Sequence, residues 1–165
     1  MPQIGETAPD FTLPQTENGT GGETLTLSSL RPSPVVLYFY PKDDTPGCTL
    51  EAQDFTRLAP QFAAFGARII GISKDSPARH EKFCAKHSLD VVLVSDESGD
   101  TCERYGTWVE KKMYGKTHMG IERRTLLIDS TGRVARIWPK VKVAGHAEEV
   151  LEAVKHLIKP EIGDN

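Results

Sequence analysis

Residues 35–51, VVLYFYPKDDTPGCTLE, decide how this chain folds. The run 35–40 is apolar or aromatic throughout, which predicts a strand buried on both faces. Pro41 cannot donate to a β-ladder, so we expect it to end the strand, with a turn over residues 43–47. From Cys48 the apolar residues follow a helical spacing, at Leu50, Phe55, Leu58 and Phe62. A cysteine therefore lies in the first turn of a predicted helix, directly after a buried strand.

This position predicts a reactive thiol at Cys48. Unpaired N–H groups and the positive end of the helix dipole both favour the thiolate at a helix start. A thiol with a pKa near 8.5 is already about 3% ionised at neutral pH, so complete ionisation gains only about 30-fold in rate. A fast reaction therefore needs further groups that stabilise its transition state.

Pro41, Thr45 and Cys48 form a P-x-x-x-T-x-x-C pattern, which resembles the peroxidatic motif of the peroxiredoxins. The string YPKDDTPGCT at residues 40–49 resembles the subfamily called PrxQ or bacterioferritin comigratory protein, and the similarity extends over nearly the whole chain. The resemblance implies a thiol peroxidase that reduces hydrogen peroxide and organic hydroperoxides through a sulfenic acid on Cys48. It also implies one thioredoxin-like domain over residues 1–165, recycled by thioredoxin or a similar reductant.

The resemblance further implies which groups assist Cys48. Thr45 would accept a hydrogen bond from the peroxide and donate one toward the sulfur, or it is an ordinary turn threonine. Pro41 has no N–H, so it would form one wall of the site without competing for hydrogen bonds. The backbone N–H groups of Gly47 and Cys48 are candidate donors to the peroxide oxygens.

A cation is expected from residues 120–129, GIERRTLLID, which resemble the family segment in which an arginine begins the strand that ends in Ile-Asp. By that register the arginine is Arg123. Strand alternation puts Arg124 on the opposite face, where we expect a solvated surface charge. Glu51, one helical turn after Cys48, either orients Arg123 or is a solvated helix carboxylate.

A sulfenic acid can condense with a second thiol to form a disulfide. Many PrxQ relatives have that thiol five residues after the first, where this chain has Gln53. The thiol that reacts with the sulfenic acid must therefore be Cys84, Cys102 or a thiol of another molecule. Some members of the subfamily have the resolving cysteine in the helix that here follows Ser76, which favours Cys84 and leaves Cys102 as a core residue.

The rest of the chain predicts an α/β protein with a thioredoxin-like fold, in which helices flank a central mixed sheet. Buried strands at 67–73 and 91–95, joined by a helix from Ser76 to about His87, continue a βαβαβ series with parallel pairing. The remaining elements are a short helix near 99–105, a β-hairpin over 121–128 and 133–138, and a helix over 146–159.

Two further segments carry specific expectations. Residues 11–13 and 24–27 are expected to form an added N-terminal β-hairpin, with its turn at Asn18-Gly19 and Gly21-Gly22. Residues 106–120, which include Trp108 and Gly115, are expected to form a loop.

Composition excludes several classes of protein. A net charge of −3 over 165 residues argues against nucleic acid as a main partner. No apolar run approaches the roughly 20 residues that cross a bilayer, and the N-terminus does not resemble a signal peptide. We expect a cytoplasmic monomer that has no cofactor and does not act at a membrane. The histidines form no metal-ligand pattern, so we expect no metal and surface positions for His80, His87, His118, His146 and His156.

Two other functions stay open at this point. A protein disulfide reductase on the same fold uses a C-x-x-C pair at the helix start, but Glu51 stands where the second cysteine would be. A non-catalytic redox sensor or holdase would oxidise once and change shape, whereas a peroxidase turns over repeatedly.

Overall fold

The computed structural model describes residues 1–16 and 23–163, the last five of these by backbone alone. Its strands and helices alternate through most of the chain. In order they are β1 Thr12–Pro14, β2 Thr24–Thr26, a 3₁₀ turn Leu27–Leu30, β3 Val35–Phe39, α1 Pro46–Ala64, β4 Arg68–Ser73, α2 Pro77–His87, β5 Val92–Ser95, α3 Thr101–Arg104, β6 Trp108–Met113, β7 Lys116–Ile121, β8 Arg124–Ile128, β9 Val134–Trp138 and α4 His146–Gly163. No helix among these residues is long and apolar enough to cross a membrane.

Strand β3 lies at the centre of a five-stranded sheet with the order β5-β4-β3-β8-β9. It pairs in parallel with β4 and antiparallel with β8, so the sheet is mixed. All five residues of β3 are buried, because the sheet is covered on both faces. The predicted mixed sheet and its parallel β3-β4-β5 half are confirmed.

Two hydrophobic cores lie on the two faces of this sheet. Helices α1, α2 and α4 contribute to the first core, which contains Cys48 and Phe83. The N-terminal hairpin and α3 contribute to the second core, which contains Cys102 and Tyr105. Cys48 and Cys102 are therefore separated by the central sheet.

Helix α1 begins two residues earlier than predicted, because Pro46 and Gly47 belong to its first turn and not to the preceding turn. Thr45 is its extended N-cap and Pro46 is its first residue, a position that proline favours. Its buried stripe differs from the predicted one, because Leu50 is exposed. Leu50 lies about 140° around the helix from Phe55, whereas Glu51 shares the buried side. The stripe consists of Cys48, Glu51, Ala52, Phe55, Leu58 and Phe62.

The hairpin of β1 and β2 is confirmed, while its predicted turn at 18–22 lies outside the described residues. The predicted loop over 106–120 is wrong, because β6 and β7 form a second hairpin there. Tyr114 and Gly115 form its turn, both with positive φ as a two-residue type I′ turn requires. Most residues of this hairpin are at least partly exposed, so the sequence lacks the alternation of a half-buried strand.

The strand predicted over 121–128 is shorter than expected. It begins at Arg124, and Ile121 instead ends β7. Glu122 and Arg123 connect the two strands, so Arg123 is not held in a β-ladder.

Gly71 in β4 is required by close packing. A Cβ atom there would lie 2.7 Å from both Leu93 Cδ2 and Tyr38 Cζ. We expect Gly71→Ala to lower the free energy of unfolding by about 1–3 kcal/mol through overpacking, measured by urea denaturation. The matched control is Gly120→Ala, also in a strand, where the nearest atoms belong to the flexible stem of Lys111. Equal stability losses in the two variants would contradict this account.

Candidate active site

Cys48 lies in the first turn of α1 and is only 2% exposed. The Arg123 guanidinium contacts it, with Nη2 donating to Sγ at 3.2 Å. The same guanidinium donates through Nη1 to Glu51 Oε1 at 2.7 Å. The Arg123 side chain thus bridges the buried carboxylate of Glu51 and the thiol of Cys48, which lie one turn apart on the same helix.

Glu51 is fully buried, so its interpretation as a solvated carboxylate is wrong. Burial raises the pKa of Glu51 to about 7, although the charge of Arg123 pulls it down. Burial opposes the charge of Arg123, but Glu51 and the Cys48 sulfur together raise its pKa above the ordinary value. Within the described chain, Glu51 Oε2 has no hydrogen-bond partner.

Gly47 makes room for the guanidinium. A Cβ atom at this position would lie 3.2 Å from Arg123 Nη2, closer than ordinary van der Waals contact. The N–H groups of Gly47 and Cys48 belong to the first turn, where α1 itself provides no acceptor. Two backbone donors and one guanidinium therefore converge on the Cys48 region.

Thr45 differs from its predicted role in one respect. Its hydroxyl donates to the carbonyl oxygen of Lys42 at 2.8 Å and not toward the sulfur. The Thr45 oxygen keeps its lone pairs, so it remains able to accept a hydrogen bond. Pro41 lines a groove of about 450 Å³ that opens toward the β6–β7 hairpin, where Trp108 and Ile121 form apolar walls.

Cys84 begins the last turn of α2 and is half-buried at the edge of the core that contains Cys48. Its Sγ donates weakly to Thr16 Oγ1 at 3.9 Å. Burial raises the pKa of Cys84, and the carboxylate of Asp43 adds to that shift. All three cysteines are free thiols.

Cys102 lies in a different environment. It is fully buried on the other face of the sheet, and burial with the nearby Asp96 raises its pKa far above the ordinary value. A neutral, enclosed thiol of this kind is a packing residue.

Sequence reasoning missed a buried network beside the site. The Tyr40 hydroxyl donates to Asp43 Oδ1 at 2.5 Å, and His80 Nδ1 lies 2.6 Å from Asp43 Oδ2. Asp75 lies close enough for its carboxylate to form a potential metal-binding group with Asp43 and His80. The sequence contains no signal for this group, because its members come from three separate segments.

Three basic residues predicted at the surface are buried. His80 is fully buried, and His146 is 5% exposed with Nε2 2.8 Å from Thr125 Oγ1. Burial lowers the pKa of His146 to about 4. Arg124 is 8% exposed and pairs with Glu122 at 3.0 Å, so its interpretation as a solvated charge is also wrong.

Comparison with known proteins gives a consistent result. Residues 4–137 match the model of the AhpC/TSA family. The putative peroxiredoxin bcp of Coxiella burnetii is 48% identical over 90% of this chain and 96% of its own length. Peroxiredoxin Bcp of Bacillus subtilis is 46% identical over 94% of this chain and 96% of its own length.

A solved structure supports the same similarity. The bacterioferritin comigratory protein of Xanthomonas campestris, studied for alkyl peroxide reduction, is 42% identical over 94% of this chain and 97% of its own, with a TM-score of 0.84.

The buried Glu51 generates a prediction about stability and pH. Its pKa rises from 4.5 in the unfolded chain to about 7 in the folded protein. Between pH 4.5 and pH 7, therefore, Glu51 is protonated in the folded protein and ionised in the unfolded chain. Stability from this group is therefore full below pH 4.5 and is lost as the pH rises through 7. Between pH 5 and pH 8 the free energy of unfolding should fall by about 1–3 kcal/mol more in the unmodified protein than in Glu51→Gln. Urea denaturation at both pH values tests this, and parallel changes would contradict it.

Proposed function

This chain belongs to the AhpC/TSA family and to its Bcp or PrxQ peroxiredoxins, and we propose that Cys48 is the thiol with which it reduces hydroperoxides. Peroxiredoxins of this group are thiol peroxidases, and this chain is one. The observation that carries the assignment is the 3.2 Å contact between Arg123 Nη2 and Cys48 Sγ at a helix start. A fixed cation there stabilises the thiolate and the charge that develops during attack.

The proposed chemistry follows from these groups. The Cys48 thiolate attacks one oxygen of the hydroperoxide, a sulfur–oxygen bond forms and the oxygen–oxygen bond breaks. The products are a sulfenic acid and an alkoxide or hydroxide, which leaves as an alcohol or water after protonation. Arg123 and the N–H groups of Gly47 and Cys48 stabilise the charge on the departing oxygen. The Thr45 oxygen accepts a hydrogen bond from the hydroperoxide O–H, whose hydrogen stays on the oxygen that is transferred to sulfur.

Pro41 has a passive part in this scheme. It has no N–H donor, and it lines the neighbouring groove. We propose that both hydrogen peroxide and organic hydroperoxides enter here, because the groove combines apolar walls at Trp108 and Ile121 with the ammonium group of Lys111.

We propose Cys84 as the resolving thiol. Its sulfur attacks the sulfenic sulfur, which gives a Cys48–Cys84 disulfide and releases water. Cys102 is disfavoured because the sheet lies between it and Cys48, and Gln53 offers no thiol. A dithiol reductant of the thioredoxin type would then reduce the disulfide. We expect the protein to act as a single-domain monomer in the reducing cytoplasm.

Disulfide formation requires movement under this proposal. Packed helices have axes about 8–10 Å apart, and a disulfide needs Cα atoms within about 7 Å. Cys48 and Cys84 lie in separate helices with separate surroundings. The first turn of α1, the Cys84 turn of α2, or both must unwind before the bond forms. While they do, excess peroxide can oxidise the sulfenic acid further.

The two alternatives are weakened by the site itself. A disulfide reductase needs a second cysteine at position 51, and the buried Glu51 that binds Arg123 is incompatible with that role. A redox sensor or holdase needs no arginine on its thiol, and it would stop after one equivalent of peroxide.

Cys48→Ser should abolish peroxide turnover, because a hydroxyl group near neutral pH offers no comparable nucleophile.

Arg123→Ala should slow the peroxide step by about 10²–10³-fold through loss of a transition-state donor. Peroxide consumption and stopped-flow oxidation measure both effects. Arg133→Ala is the matched control, an exposed arginine on the β8–β9 hairpin that should leave the rate unchanged. Substantial turnover in Cys48→Ser would disprove the assignment.

Peroxide-treated protein should contain a Cys48–Cys84 disulfide, with faster hydrogen exchange in residues 77–88 than in the reduced protein. Peptide mapping by mass spectrometry and exchange measurements test the two statements. Cys102→Ser should leave both unchanged, because its thiol is enclosed on the other face. A Cys48–Cys102 bond, or intermolecular bonds alone, would refute the pairing, and unchanged exchange would refute the unwinding.

A further inference from the structure

We propose that Tyr40, Asp43 and His80 form a latch that holds helix α2 closed, so that release of this latch limits the rate at which Cys84 reaches Cys48. The three residues are positioning residues, since none of them contacts either sulfur. The inference rests on the roles proposed above for the two cysteines.

The latch is a closed set of buried hydrogen bonds. Tyr40 donates to Asp43 Oδ1 at 2.5 Å, and Asp43 Oδ2 lies 2.6 Å from His80 Nδ1. His80 Nε2 faces the Val94 carbonyl oxygen at 3.0 Å, and a carbonyl can only accept. Nε2 therefore donates to Val94, and the 2.6 Å contact between Nδ1 and Oδ2 is a further hydrogen bond of the latch. Because the three side chains are at most 3% exposed, water cannot readily replace these bonds.

The latch joins the two segments that contain the cysteines. Asp43 lies in the turn between β3 and α1, shortly before Cys48. His80 lies on α2 four residues before Cys84, and therefore on the same side of that helix. A second, exposed contact lies at the end of α2, where Asp44 binds Lys86 at 2.7 Å and His87 at 2.9 Å.

Unwinding at Cys84 has to release His80. Helix α2 spans only Pro77–His87, so loss of its last turn, which begins at Cys84, leaves about two turns. A helix that short is not stable by itself in water. Its remaining helical structure depends on the Ser76 cap and on the packing and hydrogen bonds of His80. The packed helix and the closed latch therefore form and break together.

The closed latch also keeps Cys84 unreactive. Burial raises the pKa of Cys84, and the nearby carboxylates of Asp43 and Glu81 add to this effect. Release from α2 removes the burial and increases the distance from Asp43, so that the freed thiol ionises more readily. Cys84 becomes mobile and nucleophilic in the same event.

The chain provides a matched internal control. Tyr38 in β3 and Tyr40, the residue directly after β3, are both essentially buried in the same core. The Tyr38 hydroxyl has no hydrogen-bond partner within the described chain, whereas the Tyr40 hydroxyl binds Asp43. Tyr38→Phe and Tyr40→Phe thus remove the same atom from neighbouring positions, but only the second change breaks the latch.

The test separates three measurements on the full-length variants. The first is the rate of Cys48–Cys84 bond formation after one equivalent of hydrogen peroxide, by rapid quench and mass spectrometry. The second is the rate of sulfenic acid formation, measured in a Cys84→Ser background. The third is hydrogen exchange of residues 77–88 in the reduced protein, with the thermal midpoint recorded beside it.

Tyr40→Phe should accelerate disulfide formation by about tenfold or more, because Asp43 Oδ1 then lacks a buried donor in the closed state alone. Exchange in residues 77–88 should rise by a similar factor, while sulfenic acid formation changes by less than about threefold. Tyr38→Phe should not accelerate disulfide formation. Asp44→Asn, an exposed change that does not threaten folding, should accelerate it by about two- to threefold.

Several outcomes would overturn the latch. One is an unchanged rate of disulfide formation in Tyr40→Phe, and another is an equal acceleration in Tyr38→Phe. A third is an equal change in the rates of sulfenic acid formation and disulfide formation, because that result indicates a general loss of rigidity. If Tyr40→Phe does not fold, an unchanged or slower rate in Asp44→Asn overturns the proposal. If exchange rises but no Cys48–Cys84 bond forms in any variant, then the role of Cys84 has failed. The proposal that the latch controls disulfide formation would then also be wrong. The increased exchange would still show that the latch stabilises helix α2.

Discussion

The site depends on one cation that is shared by two acidic groups inside the protein. Arg123 donates to Glu51 with one nitrogen and to the Cys48 sulfur with the other. A buried charge is costly unless it is paired, so each of the three groups is retained there by the other two. Burial raises the pKa of Glu51 toward neutrality, although the charge of Arg123 opposes that shift.

This arrangement limits how the surrounding chain can be built. Helix α1 must begin at Pro46 so that Cys48 and Glu51 lie one turn apart on its buried side. Glycine at position 47 lets Arg123 approach without displacement, since a Cβ atom there would lie 3.2 Å from Arg123 Nη2. Arg123 itself comes from a connection between two strands, where its carbonyl oxygen accepts a hydrogen bond from the Val141 N–H at 2.8 Å. The unpaired oxygen of Glu51 is a local cost that a purely structural core would avoid.

The same turn lies between the candidate site and helix α2. Residues 41–47 lead into the helix start that contains Cys48, while Asp43 and Asp44 bind residues of α2. The proposed mechanism has opposing requirements, since it needs a rigid oxyanion environment in one step and a mobile helix in the next. Separate contacts serve these two requirements, because Arg123 binds Cys48 and Glu51, whereas Asp43 and Asp44 bind α2.

The sequence alone determined the buried strand that ends before Pro41, the limits of α2 and the placement of Cys48 in the first turn of a helix. These features are local: proline, glycine and an N-cap act within a few residues, and an apolar period is visible in a single segment. The family motif predicted that Arg123 is the arginine beside Cys48. Strand alternation alone puts Arg123 and Arg124 on opposite faces and does not say which of them faces the site. Only the tertiary structure decided the burial of Glu51, Arg124, His80 and His146, and the hairpin of β6 and β7. A polar residue is buried when partners from distant segments satisfy it, as Asp43 satisfies His80 across 37 positions of sequence, and no local pattern records such a pairing.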